Sequence, residues 1–146
     1  MDRIDKILNH DLFLYHLGKN NAAEADRRFC RHSMVHFLDV ARIGTIIALE
    51  EGLKIDREWI YAAALLHDCG KHEQYENGIP HEQASARIAP EILKACGFND
   101  EETGVIVTAI SRHRDPEAAR EKNLNGILYR ADKASRACFA CDAKKD

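Results

Sequence analysis

Ile60-Tyr61-Ala62-Ala63-Ala64-Leu65-Leu66-His67-Asp68-Cys69-Gly70-Lys71 is an apolar run that ends in an imidazole beside a carboxylate. A stretch this rich in small and aliphatic residues reads as a helix packed on every side. Ending it in an unpartnered His-Asp pair costs desolvation energy. A divalent metal offsets that cost, because neutral imidazole and ionised carboxylate are preferred N and O ligands. Adjacent helical side chains diverge by about 100°, so the two groups would approach a metal from different directions. One carboxylate can also bridge two metals. Gly70 lets the chain turn away, and Lys71 sets a cation beside the site. For the dipeptide taken alone, a solvated helix end is the competing reading.

The flanking sequence points to an all-α fold. Proline is scarce, and no stretch alternates apolar and polar residues long enough for a sheet. The apolar period stays near 3.6, predicting helices at 2–17, 22–29, 32–51, 56–68, 81–96, 100–113, 116–121 and 123–136. Gly52 is placed as a left-handed cap, Asp56 as an N-cap, and Asn99 with Glu102 as a capping box. Asp115-Pro116 marks a break and a fresh first turn. In the first helix Ile4, Ile7, Leu8, Leu12, Leu14 and Tyr15 are expected to face inward. Residues 72–80, HEQYENGIP, read as the one extended irregular stretch, with a turn at Asn77-Gly78 and Pro80.

The 146 residues suit one domain spanning 1–146, a bundle of about six to eight helices. Apolar residues at 45% and charged residues at 31% are an ordinary globular mixture. A net charge of −3 gives no reason to expect nucleic acid or an anionic membrane as partner. The amino terminus carries Asp2, Asp5, His10 and Asp11 where a signal peptide needs an apolar core, and no stretch is long enough to span a bilayer. A cytoplasmic location is the resulting expectation. Five cysteines, Cys30, Cys69, Cys96, Cys138 and Cys141, are an odd number scattered through helical segments, which argues against a disulfide framework. Cys69 is expected to fill a small buried space. Cys138 and Cys141 form a C-x-x-C without the second pair that a four-Cys zinc site needs, and are read as thiols on a tail.

His36, His67-Asp68, His81, His113 and Asp132 give the order H…HD…H…H…D. That order resembles the HD-domain superfamily of metal-dependent phosphohydrolases. His36-Phe37-Leu38-Asp39-Val40-Ala41-Arg42 looks like the family's first ligand helix. Ala64-Leu65-Leu66-His67-Asp68-Cys69-Gly70-Lys71 looks like its "ALLHDxGK" signature, and Ala131-Asp132-Lys133 like its "ADK". The likeness covers a motif-bearing core of about 30–136. It implies a helical HD bundle with His36, His67, Asp68 and Asp132 as metal ligands. His81 and His113 resemble the added ligands of the subset that holds two metals, where the Asp of the HD pair bridges. A mononuclear site with His81 and His113 binding substrate is the other option.

Each residue also has a bland role. His36 could bond a backbone carbonyl, although its helix shows an inward stripe of Phe37, Val40, Ile43, Ile47 and Ala48. His32, one turn earlier, is the strongest competitor as ligand and is placed as a rim residue or helix-start group. His81 could be an exposed first-turn residue, and His113 a dipole-favoured cation at a helix end. Asp132 could pair with Arg136 at i+4. His72 is placed on the loop, and His10 and His16 on the surface.

The resemblance implies a phosphohydrolase that cleaves a phosphoester or phosphoanhydride of a nucleotide-type substrate by metal-activated hydroxide. Asp68 would hold the ions, and Lys71 would stabilise charge on the phosphoryl oxygens. Arg112, Arg114 and Lys133 are further candidate substrate contacts, with a structural salt bridge as the alternative for each arginine. One or two divalent ions are expected: Fe first, with Mn, Co, Ni, Zn or Mg as options. The order is similar to that of bacterial enzymes cleaving dinucleoside tetraphosphates symmetrically. No HD-x-x-E-D of guanosine tetraphosphate hydrolases is present, and Gly78-Ile79-Pro80 only echoes the Gly-Tyr-Pro of cyclic-di-GMP phosphodiesterases. Two alternatives share the ligand list: a mixed-valent di-iron oxygenase, and a non-catalytic regulatory module that keeps metal structurally. The pattern sets no oligomeric state, and a homodimer is one option.

Overall fold

The computed structural model describes residues 1–25 and 34–136. Among them the chain forms α1 (Asp2–Leu8), α2 (Asp11–Glu24), α3 (Met34–Glu50), α4 (Arg57–Leu66), α5 (Lys71–Asn77), α6 (His81–Ala95), α7 (Asp100–Ser111), a 3-10 turn (Pro116–Arg120) and α8 (Leu124–Ser135). These residues include no strand. The fold is all-α. Among the described residues no helix is long and apolar enough to cross a membrane.

The helix α4 lies at the centre, with Ile60 and Ala62 to Leu66 buried. Its alanines let neighbours approach closely, so α3 packs on both α4 and α8 while α7 packs on α4, α6 and α8. Phe37, Val40, Ala41 and Ala48 of α3 are buried, with Ile43 and Ile47 packed against the same core. Cys69 is buried as expected.

Helix ends follow their local chemistry. Asp56 accepts from the Glu58 N–H at 2.8 Å, and Asn99 and Glu102 form the reciprocal capping box. Asp115 caps the 3-10 turn opened by Pro116. At Gly52, φ of +69° permits the bonds Leu53 N–H to Ala48 O and Gly52 N–H to Leu49 O, which close α3.

Three expectations are corrected. The 2–17 helix divides at Asn9-His10, because His10 Nδ1 accepts from the Leu12 N–H and starts a new helix. The break resets the helical phase. Phe13 is therefore buried while Leu14 and Tyr15 are exposed, with Ile4 and Ile7 inward as expected. The second helix runs from Asp11 to Glu24 rather than beginning near 22. The 72–80 stretch is not irregular throughout, since Lys71–Asn77 is α5 and left-handed Gly78 (φ +70°) closes it. Its helix lacks an apolar period and is held by tertiary bonds, which a local pattern cannot report. Residues 26–33 and 137–146, with Cys30, His32, Cys138 and Cys141, lie outside the described residues.

A clamp holds α1 in place. Arg3 Nε donates to Glu58 (2.8 Å) and its Nη1 to Glu102 (2.9 Å). The Arg3 guanidinium also lies 4.1 Å from the Phe98 ring centre, and Trp59 Nε1 donates to Glu102 at 2.8 Å. Charge-assisted bonds contribute about 1.5–3 kcal/mol when sheltered and less when partly exposed, as here. Arg3→Ala is expected to lower stability by about 1–2 kcal/mol. A denaturant titration should show this as a lower midpoint at unchanged slope.

Candidate metal centre

Six side chains from five parts of the fold meet beside the end of α4. His67 is the residue that ends α4, and Asp68 lies in the turn after it. His36 comes from α3, Asp132 from α8, His81 from the first turn of α6, and His113 from the turn after α7. All but the half-buried His36 are buried. Ligand atoms of His36, His67, Asp68 and Asp132 lie within 4.8 Å of one another, and so do those of Asp68, His81 and His113.

Asp68 belongs to both groups, through different oxygens. Its Oδ2 lies 3.2 Å from His67 Nε2 and 3.8 Å from His36 Nε2. Its Oδ1 lies 3.4 Å from both His81 Nε2 and His113 Nε2. Asp132 Oδ1 completes the first group, 3.1 Å from His36 Nε2 and 3.4 Å from His67 Nε2.

The tautomers follow from the partners of each Nδ1. His67 Nδ1 faces Ala64 O at 2.6 Å and His113 Nδ1 faces Ile110 O at 2.7 Å. Carbonyls only accept, so both Nδ1 atoms carry the proton. His81 Nδ1 lies 2.8 Å from Gln74 Oε1. Ser135 Oγ donates to Asp132 O, leaving its oxygen to accept from His36 Nδ1 at 3.3 Å. Every Nε2 therefore faces the centre, the orientation a metal site requires.

This donor set fits a cation. His81 Nε2 and His113 Nε2 lie 3.2 Å apart, and two lone pairs facing each other beside a carboxylate repel unless positive charge separates them. A proton does not serve at His81: burial holds this imidazole at about 3 despite Asp68, with Lys71, His113 and Arg114 adding to the depression. In the first group burial opposes the charged form of His67, but Asp68 and Asp132 outweigh it and push the imidazole up to about 10. Asp132, whose burial favours the neutral acid, is held ionised by His36 and His67. His67 Nε2 and Asp132 Oδ1 are enclosed and meet no correctly angled hydrogen-bond partner among the described residues. A bound ion would satisfy both.

The HD domain family model matches residues 34–137, which hold all six of these side chains. The chain belongs to the HD-domain family. An uncharacterized protein from Clostridium beijerinckii is 48% identical over 141 residues, 97% of this chain and 88% of that one. A crystal structure from an uncultured Thermotogales bacterium, described as a predicted HD superfamily hydrolase, resembles this HD domain with a TM-score of 0.63 and 27% identity. The match covers 82% of this chain and 66% of that one.

The predicted cations fall in different places. Lys71 is buried, its Nζ 3.4 Å from His81 Nδ1. Burial lowers its pKa, opposed by Asp68 and reinforced by Arg136 and Arg114. Arg114 is exposed. Arg112 is occupied instead by ion pairs with Asp115 (3.2 Å) and Glu121, the structural alternative for that residue. Lys133 is exposed near the Tyr129 ring. Arg136 pairs with Asp132 at 3.5 Å, so this residue is both cluster member and salt-bridge partner.

Histidine placement is also corrected. His72 is buried in α5 rather than lying on a loop, and its Nε2 is 2.8 Å from Nδ1 of half-buried His16. Sequence reading missed Asn20, Gln74, Ser85 and Ser135, which orient the centre through one or two polar contacts each. No spacing or composition marks such residues. Only the order of ligands around them was readable.

Proposed function

We propose that this HD domain is a metal-dependent phosphohydrolase that cleaves a phosphoester or phosphoanhydride in a nucleotide-type substrate. The observation that carries the reading is Asp68, which turns one carboxylate oxygen toward each of two ligand groups. Family membership and the likeness to a predicted HD superfamily hydrolase support it. Divalent ions held by His36, His67, Asp68 and Asp132, and by Asp68, His81 and His113, would supply Lewis acidity and an ionised water near neutral pH.

The chain's own residues supply the rest. Asp68 and Asp132 provide the negative charge that retains the ions. Lys71 presents an ammonium beside the second group, where it can stabilise charge developing on phosphoryl oxygens. Arg114 adds positive potential that acts on both Lys71 and His81. This favours an anionic substrate over a neutral polyol.

Mn(II)-loaded protein is expected to release phosphate or a nucleotide from a panel of nucleotides and dinucleoside polyphosphates, with or without air. Oxygen uptake accompanied by an Fe(II)/Fe(III) signal, with no phosphoryl product, would establish the oxygenase reading instead. Intact ion binding with neither reaction would favour the regulatory module. Lys71→Met, which keeps the side-chain length, is expected to retain both ions and lose about 100-fold in kcat. Metal analysis alongside steady-state kinetics checks this, and normal turnover would remove Lys71 from the mechanism.

A further inference from the structure

The polar contacts around α5 link the two groups of ligands in an unequal way. Gln74 Oε1 accepts from the backbone N–H of His81 at 3.0 Å and faces its Nδ1 at 2.8 Å. Together these contacts set both the position and the tautomer of the ring. Lys71 Nζ, 3.4 Å from the same Nδ1, can only donate. With a cation at Nε2 the ring proton belongs on Nδ1, so Gln74 is the matching partner.

The opposite end of α5 is tied to the turn that bears Asp68. Asn20 of α2 is fully buried. Its Nδ2 donates to Asp68 O at 2.9 Å, and its Oδ1 accepts from the His72 N–H at 2.8 Å. His16, one turn earlier on α2, meets His72 through the ring contact described above. The helix α2 lies before the family match at 34–137. Its grip on α5 thus comes from outside the matched residues.

We propose that α5 is the strut on which the second ion-binding group depends, with Gln74 the positioning residue for His81 and Asn20 the anchor joining the strut to Asp68. This rests on the two-ion reading above. The inequality follows from how each ligand is held. His36, Asp132 and His67 belong to α3, α8 and the end of α4, which pack on one another. His113 is oriented by Ile110 O of its own helix end. His81 is oriented by α5, which packs on α6 and α2. A fault at Gln74 therefore reaches His81 and spares the first group, whereas one at Asn20 acts on His81 through α5 and on Asp68 through its carbonyl.

The test removes Mn(II) progressively from the loaded full-length protein with a chelator, following ion count and the electron paramagnetic resonance spectrum. Wild type is expected to hold two ions per chain with an exchange-coupled spectrum. Gln74→Ala, at a half-buried position, should keep one ion at wild-type affinity and bind the second about 10-fold to 100-fold more weakly. Its spectrum should become that of isolated Mn(II). Gln74→Glu retains an acceptor for the Nδ1 proton and should restore coupling. Asn20→Ala, which also frees the carbonyl of the shared ligand Asp68, should weaken the second ion by a similar factor and the first by clearly less. Undiminished binding of both ions by Gln74→Ala would overturn the proposal, as would parallel weakening of both ions in Asn20→Ala. A wild-type chain that takes up only one ion would instead overturn the two-ion reading.

Discussion

Asp68→Asn is expected to lose the second ion entirely, weaken the first by at least about 100-fold, and reduce turnover by at least the same factor. Both Asp68 oxygens lie among Nε2 atoms, Oδ2 near His67 and His36 and Oδ1 near His81 and His113. An amide replaces one oxygen with a donor that cannot bind a cation, and it removes the charge common to both groups. The side-chain volume is unchanged, so packing should survive. Elemental analysis of the purified variant, read beside its circular dichroism, separates loss of metal from loss of fold. Two retained ions would show that Asp68 is not a shared ligand. A variant that kept its metal but lost activity would place the residue in chemistry alone.

Gly70→Ala is expected to damage both the fold and the centre. A β-carbon at Gly70 would lie 2.7 Å from Ala84 Cβ, 2.7 Å from Ser85 N and 2.8 Å from Ala84 C. These are backbone and near-backbone atoms of α6, with no flexible end to yield. Gly70 N–H also donates to Ser85 Oγ at 2.9 Å, a bond that needs the same close approach. The glycine serves here through its small size, since its φ of −95° is open to other residues. Overpacking of this kind costs about 1–3 kcal/mol. Moving α6 would also move His81 away from Asp68. A lower denaturation midpoint together with weaker uptake of the second ion is the expected result. Gly104→Ala is the control, because a β-carbon there meets nothing within 4 Å. In a helix interior that change should stabilise by about 0.5–1 kcal/mol. Equal stability of Gly70→Ala and wild type would show that α6 gives way freely.

Most helices and the order of ligands were legible because each depends on local pattern. Ala62 to Leu66 must be buried whatever surrounds them, and Asp56, Asn99 and Asp115 cap the residues next to them. The errors fell where neighbours in space override neighbours in the chain. His10 cuts one apolar period in two, so Phe13 and not Leu14 reaches the core. Polar α5 is helical because Asn20 anchors its start and Gly78 can adopt a left-handed end. Arg112 resembled a substrate contact until Asp115 and Glu121 were found around it.

Residue type and spacing were enough to show that this chain folds as helices and carries imidazoles and carboxylates suited to a metal, because periodic burial and ligand chemistry are written residue by residue. Packing alone settled that Asp68 faces two histidine groups with separate oxygens, and that Ala64, Ile110, Gln74 and Ser135 turn each Nε2 toward them. Distances between side chains on separate helices depend on how those helices cross, and no local stretch of sequence encodes that crossing.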